Sequence, residues 1–453
     1  MQLYPKYKDS GVSWIGNVPE HWISTKLRIV LKIIAERDRS DLPLLSVVRE
    51  KGIIKRNIES REDNHNYIPD DLTNYKAVKI GQFAMNKMKA WQGSYGVSDY
   101  DGIVSPAYYV FNITGVNGEF FHKAIRSKYY VPFFTRASDG VRIGQWDLNQ
   151  SRMKEIPFFI PTVSEQQNIS RYLDWQTSKI NKFIKAKKKL ISLLKEQKQN
   201  IINQAVTKGV KHNVKMKDSG VECFGEIPEH WGLHRGKYFF KEVDLRSETG
   251  NEELLSVSHL TGITPRSQKS INMFLAENYI GSKICKPGFL AVNTMWAWMA
   301  AIGVSKYEGV ISPSYHTYVQ KNQTYDEVFL DILLRCSPMK DAYTVNSSGI
   351  TSSRMRLYPD KFLRIFFICP PIEEQQLIVK YIKTETTVIE KTISRAEREI
   401  ELIQEYRNRL ISDVVTGKID VRSIDIPNYD IVESEMDNIE DDEDEINTEE
   451  REP

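Results

Sequence analysis

The chain has 453 residues, of which 41% are hydrophobic and 27% charged, a composition typical of a globular protein with two or three domains. It contains no run of about 18 apolar residues, and the first residues, MQLYPKYKDSG, lack the apolar core of a signal peptide. We therefore expect a cytoplasmic protein without a membrane anchor. The four cysteines have no CxxC spacing, which favours free thiols over a zinc site or disulfides.

Charge is distributed unevenly along the chain. The formal net charge is +2, but residues 433 to 453 hold twelve acidic side chains and one basic one, a net charge of −11, which leaves +13 on residues 1 to 432. This excess suits a polyanionic partner such as nucleic acid. The acidic stretch has almost nothing to bury, so we expect a disordered tail that is either simply solvated or competes with non-specific DNA binding.

Two long stretches predict two long helices. Residues 164 to 207 contain no Gly or Pro, with Ser164 as a suitable N-cap. Apolar or large residues recur there at alternating steps of four and three: Ile169, Leu173, Gln176, Ile180, Phe183, Lys187, Leu190, Leu194, Gln197 and Ile201. The pattern returns 209 residues later at Ile378, Ile382, Glu385, Ile389, Thr392, Ala396, Glu399, Ile403, Tyr406 and Leu410. Such a period predicts an antiparallel coiled coil of roughly 60 Å.

The remainder of the chain is also present twice. KDSGVSWIGNVPEHW from Lys8 and KDSGVECFGEIPEHW from Lys217 share ten of fifteen residues, and GQFAMNKMKAWQGSYGV from Gly81 corresponds to PGFLAVNTMWAWMAAIGV from Pro287. Short β runs and turns dominate both copies. We expect two α/β domains at residues 1 to 160 and 211 to 370, long spacer helices at 161 to 210 and 371 to 420, and the acidic tail at 421 to 453. The predicted class is α+β with an internal pseudo-two-fold repeat.

No catalytic motif is recognisable in the sequence. A phosphate-binding GxxxxGK[ST], a GxGxxG after a strand, a GxSxG turn, a zinc-binding HExxH and the Asn-Pro-Pro-aromatic box of amino-methyltransferases are all missing. His21 and His230 recur inside PEHW, and we interpret both as rings packed beside tryptophan and hydrogen-bonded to backbone. The sequence therefore predicts neither catalytic residues nor a metal site.

Base edges and phosphates are bound by basic groups, amides and hydroxyls, and such residues cluster where the two copies differ while their flanks agree. The candidate DNA-binding residues are Lys87, Lys89, Gln92, Ser94, Tyr95, Arg136, Arg142 and Gln145 in the first copy, and Asn293, Thr294, Trp296, Ser352, Arg354 and Arg356 in the second. Each could instead be a solvated or core side chain.

The doubled KDSGV, WIG or CFG, and PEHW box, with a Gln-Gln sequence (SEQQ, EEQQ) opening each long helix, resembles the specificity subunit of type I restriction-modification systems. The resemblance spans residues 1 to about 420. It implies two target-recognition domains that each recognise one half of a bipartite sequence in double-stranded DNA, with two helices that set the half-site spacing. A nucleoid-associated protein is then expected.

The resemblance also implies partner subunits. The helices would dock two methyltransferase subunits through positions including Ile169, Leu173, Ile180, Leu194, Ile201, Ile378, Ile382, Ile389, Ile403 and Leu410. Those subunits would bind S-adenosylmethionine, and a restriction subunit would use ATP and Mg, so this chain itself would need no cofactor and would not be an enzyme. The alternatives are a coiled-coil scaffold that binds no DNA, and the recognition half of a nuclease with a cryptic active site.

Overall fold

The computed structural model describes residues 2–56, 68–69, 71–140, 146–211, 213–268, 278–349 and 354–432. Arg142, Gln145 and Ser352 lie outside the described residues, and so does the acidic tail from residue 433 onward. The described chain divides into two compact units: the first contains residues 2 to 187 and 398 to 432, and the second contains residues 188 to 397.

The first unit is an antiparallel β structure with short helices. Its elements, including the start of the first long helix, are β1 Tyr7–Asp9, β2 Asn17–Pro19, β3 Ile23–Lys26, α1 Leu27–Val30, β4 Leu31–Ile34, β5 Leu45–Val48, β6 Gly52–Lys55, β7 Lys76–Val78, β8 Phe83–Asn86, β9 Tyr95–Val97, β10 Gly102–Val104, β11 Tyr108–Ile113, α2 Gly118–Ile125, α3 Val131–Arg136, β12 Ser138–Asp139, β13 Asp147–Leu148, α4 Gln150–Lys154, β14 Pro157–Ile160 and α5 Val163–Lys208.

The second unit repeats this order. Its elements are β15 Met216–Asp218, β16 Glu226–Pro228, β17 Gly232–Arg235, α6 Gly236–Phe239, β18 Phe240–Val243, β19 Leu255–Ser258, β20 Gly262–Pro265, β21 Lys283–Cys285, β22 Leu290–Val292, β23 Ile302–Val304, β24 Gly309–Ile311, β25 His316–Gln320, α7 Glu327–Leu334, α8 Ser337–Asn346, α9 Pro359–Phe362, β26 Phe366–Cys369 and α10 Ile372–Val415.

Each unit is built on a four-stranded antiparallel sheet, in the order β4-β11-β8-β9 in the first and β18-β25-β22-β23 in the second. Side chains of a strand alternate between the two faces of the sheet. Accordingly, Phe83 and Met85 of β8 enter the main core of the first unit, whereas Ala84 enters a smaller apolar cluster. In the second unit Leu290 and Ala291 are divided in the same way.

Both long helices expected from the sequence are present. α5 begins and ends within two residues of the predicted bounds 161 and 210, whereas α10 begins one residue after 371 but ends at Val415, five residues before 420. Within the first unit, Lys187 Nζ lies 2.6 Å from Glu399 Oε2, and Arg407 donates to Asn181 Oδ1 at 3.3 Å. Within the second unit, Lys198 pairs with Glu390 at 2.6 Å. In the first unit the partner on α10 moves from Arg407 to Glu399 as the residue on α5 moves from Asn181 to Lys187, so the two helical segments are antiparallel there. The predicted α+β class with an internal repeat is confirmed.

The predicted cap of α5 is wrong by two residues. The helix begins at Val163, and the preceding Thr162 forms a capping box with Glu165. The Thr162 backbone N–H and hydroxyl donate to Glu165 Oε2 at 3.1 and 2.9 Å, while the Glu165 N–H donates to the Thr162 hydroxyl at 3.4 Å. Thr162 is therefore the N-cap residue, and Ser164 lies inside the first turn of the helix.

The helix stripe also differs from the prediction at alternate positions. Phe183 and Leu190 are 41% and 38% exposed, whereas the neighbouring Ile184 and Ile191 are only 6% and 8% exposed. A stripe that alternates steps of three and four residues can continue from Ile180 either to Phe183 or to Ile184. The sequence has an apolar residue at both positions. On α10 the same shift occurs, because the buried residues Thr386 and Ile393 each lie one residue after the predicted positions Glu385 and Thr392. The predicted Tyr406 is exposed.

In the part of the chain that is described, no helix combines the length and the apolar character needed to cross a membrane.

Candidate nucleic-acid interface

A tight turn between β8 and β9 carries several of the candidates in the first unit. Asn86 ends β8 and holds the turn in place, because its Oδ1 accepts from the Met88 N–H at 3.1 Å and its Nδ2 donates to the Tyr108 hydroxyl at 3.1 Å. A single 3₁₀ turn follows at Ala90–Gln92. Lys89 is exposed at the start of this turn and Gln92 is half-buried. The turn therefore presents one cation and one amide to solvent.

Helix α3 packs beside this turn and adds a second cation. The Thr135 hydroxyl donates to the Trp91 carbonyl at 3.0 Å, which fixes α3 against the turn. Arg136 follows on the same helix, exposed, with its guanidinium carbon 4.3 Å from the centroid of the Trp14 ring. This contact limits the rotamers of Arg136 while leaving its N–H groups available.

Lys87 is restrained by an acidic neighbour. Its Nζ lies 2.8 Å from Asp147 Oδ2, and this hydrogen bond raises the pKa of Lys87. The side chain of Lys87 is 30% exposed, and the backbone N–H of Leu148 donates to the Lys87 carbonyl at 3.0 Å. Lys87 would have to leave Asp147 before it could bind a phosphate.

Ser94 and Tyr95 are corrections to the sequence-based expectation. They are only 2% and 0% exposed, and Tyr95 is the first residue of β9. The Tyr95 hydroxyl donates to the Ile125 carbonyl at 3.2 Å, its ring lies 4.4 Å from that of Phe134, and burial raises its pKa. Neither side chain has a surface that DNA could contact.

The second unit has the same framework with different residues. The Thr344 hydroxyl donates to the Trp298 carbonyl at 3.2 Å, as Thr135 does to Trp91, and the Leu357 N–H donates to the Thr294 carbonyl at 3.1 Å, as Leu148 does to Lys87. Trp296 stacks on Trp298 with centroids 5.8 Å apart. Trp296 is half-buried and so presents part of an aromatic surface where the first unit presents lysine.

Asn293 and Thr294 are likewise buried, at 1% and 6% exposure, contrary to the expectation that they contact DNA. Asn293 Oδ1 accepts from the N–H groups of Met295 and Trp296 at 3.2 and 3.3 Å, so the amide shapes the turn. The Thr294 hydroxyl donates to the Ser314 carbonyl at 2.9 Å. Their polar atoms are therefore committed to the protein.

Arg354 and Arg356 lie just before Leu357, the residue whose N–H donates to this turn. Arg354 is exposed, whereas Arg356 is half-buried and its Nη1 donates to the Met355 carbonyl at 3.0 Å. Through Leu357, whose N–H donates to the Thr294 carbonyl at 3.1 Å, the segment that carries this arginine pair is attached to the turn that carries Trp296.

Two aromatic residues next to the interface were missed. Trp146 packs on Trp91 with centroids 5.1 Å apart, and Trp14 supports Arg136. The match of Trp91 to Trp298 in the repeat signalled an aromatic pair in each unit. Nothing in the sequence placed Trp14, about 120 residues earlier in the chain, under Arg136.

The repeated PEHW box connects each domain to its long helix. His21 Nε2 lies 2.9 Å from Glu165 Oε1, and His230 Nε2 lies 3.0 Å from Glu374 Oε1. The expected backbone partner is therefore replaced by a carboxylate in both units. The role is structural, as the repeat suggested, because each histidine contacts the first turn of α5 or α10.

The proposed docking positions on the helices lie mostly inside the units. Ile169, Leu173 and Leu410 belong to the core of the first unit, Ile378 and Ile382 to that of the second, Ile180 and Ile389 are buried, and Leu194, Ile201 and Ile403 are half-buried. Exposed apolar side chains on the same helices include Leu193, Leu377, Val388, Leu402 and Tyr406. These, rather than the buried stripe, are accessible to another protein.

Among the described residues, no group of three or more His, Cys, Asp or Glu side chains is arranged to hold a metal ion.

No family model and no curated protein matches the sequence. A solved structure from work on complex assembly and conformational transition of the type I restriction-modification system matches with a TM-score of 0.58 and 13% identity, over 89% of this chain and 99% of that chain. The chain has the fold of this protein from a type I restriction-modification system.

Two further solved structures also match. The HsdS subunit from Thermoanaerobacter tengcongensis has a TM-score of 0.47 and 15% identity, over 89% of this chain and 98% of that one. The type I restriction-modification S subunit from M. genitalium has a TM-score of 0.32 and 10% identity, over 87% and 96%.

Proposed function

We propose that this chain is the non-catalytic DNA-recognition subunit of a type I restriction-modification complex, and that each unit recognises one half of a bipartite target in double-stranded DNA. One observation carries the proposal. The two units hold equivalent turns with the same threonine hydrogen bonds but expose different side chains on them, Lys89 and Arg136 in one and Trp296 and Arg354 in the other.

Equivalent frameworks with different exposed groups suit two half-sites of different sequence. Guanidinium groups bind guanine edges or phosphates, and a lysine binds phosphate or guanine. An exposed tryptophan face offers stacking or apolar contact instead. The excess of basic residues in residues 1 to 432 would supply the sequence-independent part of the binding free energy.

The helices would carry the partners. We propose that two methyltransferase subunits dock on the exposed apolar side chains of α5 and α10, such as Leu193 and Val388, which are 53% and 69% exposed. S-adenosylmethionine would then be bound by those subunits, and ATP and Mg by a restriction subunit where one is present. A cytoplasmic, nucleoid-associated complex is the corresponding proposal for its location.

The test is reconstitution. The purified chain should not methylate DNA alone, but together with its methyltransferase subunits it should direct adenine methylation to one bipartite motif. Binding to a duplex with that motif should weaken steeply with salt, because phosphate contacts release counterions. Methylation by the chain alone, or failure of the assembled complex to bind any DNA, would count against this function and favour a cryptic enzyme or a scaffold, respectively.

A further inference from the structure

Two further basic side chains lie beside the turn between β8 and β9 in the first unit. The first is Lys76, which begins β7 and is half-buried. Its Nζ donates to the Tyr108 carbonyl at 2.5 Å and lies 5.8 Å from the centroid of the Tyr109 ring. Tyr108 is paired with Asn86, the residue at which β8 ends. Lys76 is therefore held next to the start of this turn.

The second basic side chain is Arg37. The Ala77 N–H donates to the Glu36 carbonyl at 2.9 Å, which places the exposed Arg37 beside the start of β7. Burial lowers the pKa of Lys76, and the charges of Arg37 and Lys87 lower it further. Like charges thus lie close together here, an arrangement that a bound anion would stabilise. We call Lys76 and Arg37 the cation pair.

Two acidic side chains near the cation pair bind other lysines. Asp147 pairs with Lys87 at 2.8 Å, and Glu36 pairs with Lys79, also at 2.8 Å. Among the residues that the structure describes, neither member of the cation pair forms an ion pair with a carboxylate. The charge of the cation pair is therefore available to an anion from solvent.

The second unit carries an equivalent pair of cations. The Ile284 N–H donates to the Leu245 carbonyl at 2.8 Å, the same hydrogen bond as the one beside the cation pair. Lys283 precedes Ile284 and begins β21, and Arg246 follows Leu245. Lys283 and Arg246 therefore correspond to the two members of the cation pair.

Asp244 neutralises the pair in the second unit. Its Oδ2 lies 3.1 Å from Arg246 Nη2, and its Oδ1 lies 3.6 Å from Lys283 Nζ. The hydrogen bond from Arg246 lowers the pKa of Asp244, which keeps the carboxylate charged. Asp244 directly follows β18, and the residue that directly follows β4 in the first unit is Ala35. The two units thus share two cations and differ in the residue that neutralises them.

We propose that Lys76 and Arg37 bind one phosphate of the DNA backbone, and that the equivalent site in the second unit does not. The inference rests on the proposed function, because DNA is the polyanion that the neighbouring turn would contact. Lysine and arginine side chains bind DNA phosphates, and such contacts position a protein on the duplex without reading its sequence. The first unit thus makes one phosphate contact that the second unit lacks.

The experiment introduces the carboxylate of the second unit into the first. Ala35→Asp adds a carboxylate beside the cation pair, and Ala35→Asn adds a side chain of nearly the same size without charge. Each variant is assembled with the methyltransferase subunits, and fluorescence anisotropy measures its binding to a duplex with the target motif at several salt concentrations.

For Ala35→Asp we expect the slope of log affinity against log salt to become shallower by about 1, with an affinity about fivefold or more weaker at about 0.1 M salt. The affinity of Ala35→Asn should stay within about twofold of the parent, because no charge is added. Circular dichroism checks that both variants fold.

Arginine variants test the cation pair itself. Arg37→Gln should make the slope shallower by about 1, because one phosphate contact is lost. Arg246→Gln is the matched control in the second unit and should leave the slope unchanged, since Asp244 already neutralises that position.

Two results would overturn the inference. They are equal salt slopes for Ala35→Asp and Ala35→Asn, and equal salt slopes for Arg37→Gln and Arg246→Gln. In both cases the parent complex still binds DNA, so the proposed function stands. Failure of the parent complex to bind any DNA would instead refute the proposed function, and this inference with it.

Discussion

His230 and Glu374, 144 residues apart in sequence, meet with their Nε2 and Oε1 atoms 3.0 Å apart, and the same carboxylate accepts from Trp231 Nε1 at 2.9 Å and Lys211 Nζ at 2.7 Å. One carboxylate therefore joins the PEHW box of the second unit to the first turn of α10. This carboxylate adds to the pairing of β17 with β26, which also brings the two ends of the repeat together.

Glu374→Gln should reduce stability in a pH-dependent manner. Burial raises the pKa of Glu374, but hydrogen bonds from Lys211, Trp231 and His230 outweigh it and lower the pKa to about 2. Since the folded pKa lies below the ordinary value of about 4.3, the carboxylate stabilises the fold above about pH 5, and this contribution is lost as pH falls from about 4 toward 2.

We expect Glu374→Gln to lower the free energy of unfolding by about 1 to 3 kcal/mol at pH 7, with the difference from the parent shrinking in acid. Urea unfolding at several pH values measures this. Glu229→Gln is the control, because Glu229 forms an exposed ion pair with Lys215 that should contribute no more than about 1 kcal/mol. A loss for Glu374→Gln that stays constant with pH would show that its charge is not responsible.

Gly417→Ala should destabilise the first unit more than Gly11→Ala. Both glycines have left-handed backbone, with φ of +74° and +73°, so either alanine costs about 1 kcal/mol of strain. A Cβ at Gly417 would also overlap the Pro19 ring and lie 3.2 Å from the Trp22 ring, whereas at Gly11 it meets nothing within 4 Å. Overpacking adds about 1 to 3 kcal/mol. Equal midpoints in urea for the two variants would contradict the packing of the helix end against the PEHW box.

Ile184→Ala and Phe183→Ala distinguish the two registers of α5. Ile184 is 6% exposed, so its truncation should cost about 2 to 4 kcal/mol, whereas Phe183 is 41% exposed and its truncation should cost about 1 kcal/mol or less. Thermal or urea unfolding measures both. A larger loss of unfolding free energy for Phe183→Ala would support the register predicted from the heptad pattern, in which Phe183 is buried.

This register shows what the sequence could and could not determine. The length and pairing of the two long helices could be predicted from the sequence. The absence of Gly and Pro is a local feature of each stretch, and the two copies of the repeat can be compared directly. The phase of the stripe could not be predicted, because Phe183 and Ile184 are both apolar and only packing against α10 selects one. Similarly, the repeat located the turns at Lys87 and Asn293, but the burial of Tyr95 depends on where β9 begins, and sequence patterns do not define strand ends to the residue.

Lys89→Gln and Arg136→Gln should weaken DNA binding by the assembled complex. Both side chains are exposed near the turn of the first unit, and removing one phosphate-binding cation should reduce the slope of log affinity against log salt by about 1. Fluorescence anisotropy with a target duplex at several salt concentrations measures the slope. Lys6→Gln removes an exposed charge elsewhere in the unit and should leave the slope unchanged. Equal slopes in all three variants would exclude this turn from the interface.

The most direct test of independent recognition by two units is an exchange of residues 23 to 155 for the corresponding domain of another specificity subunit. The methylated motif is then determined by sequencing DNA from cells that express the complex. We predict a bipartite adenine-methylated motif in which one half-site changes and the other half-site is retained. A change in both half-sites, or in neither, would contradict the account.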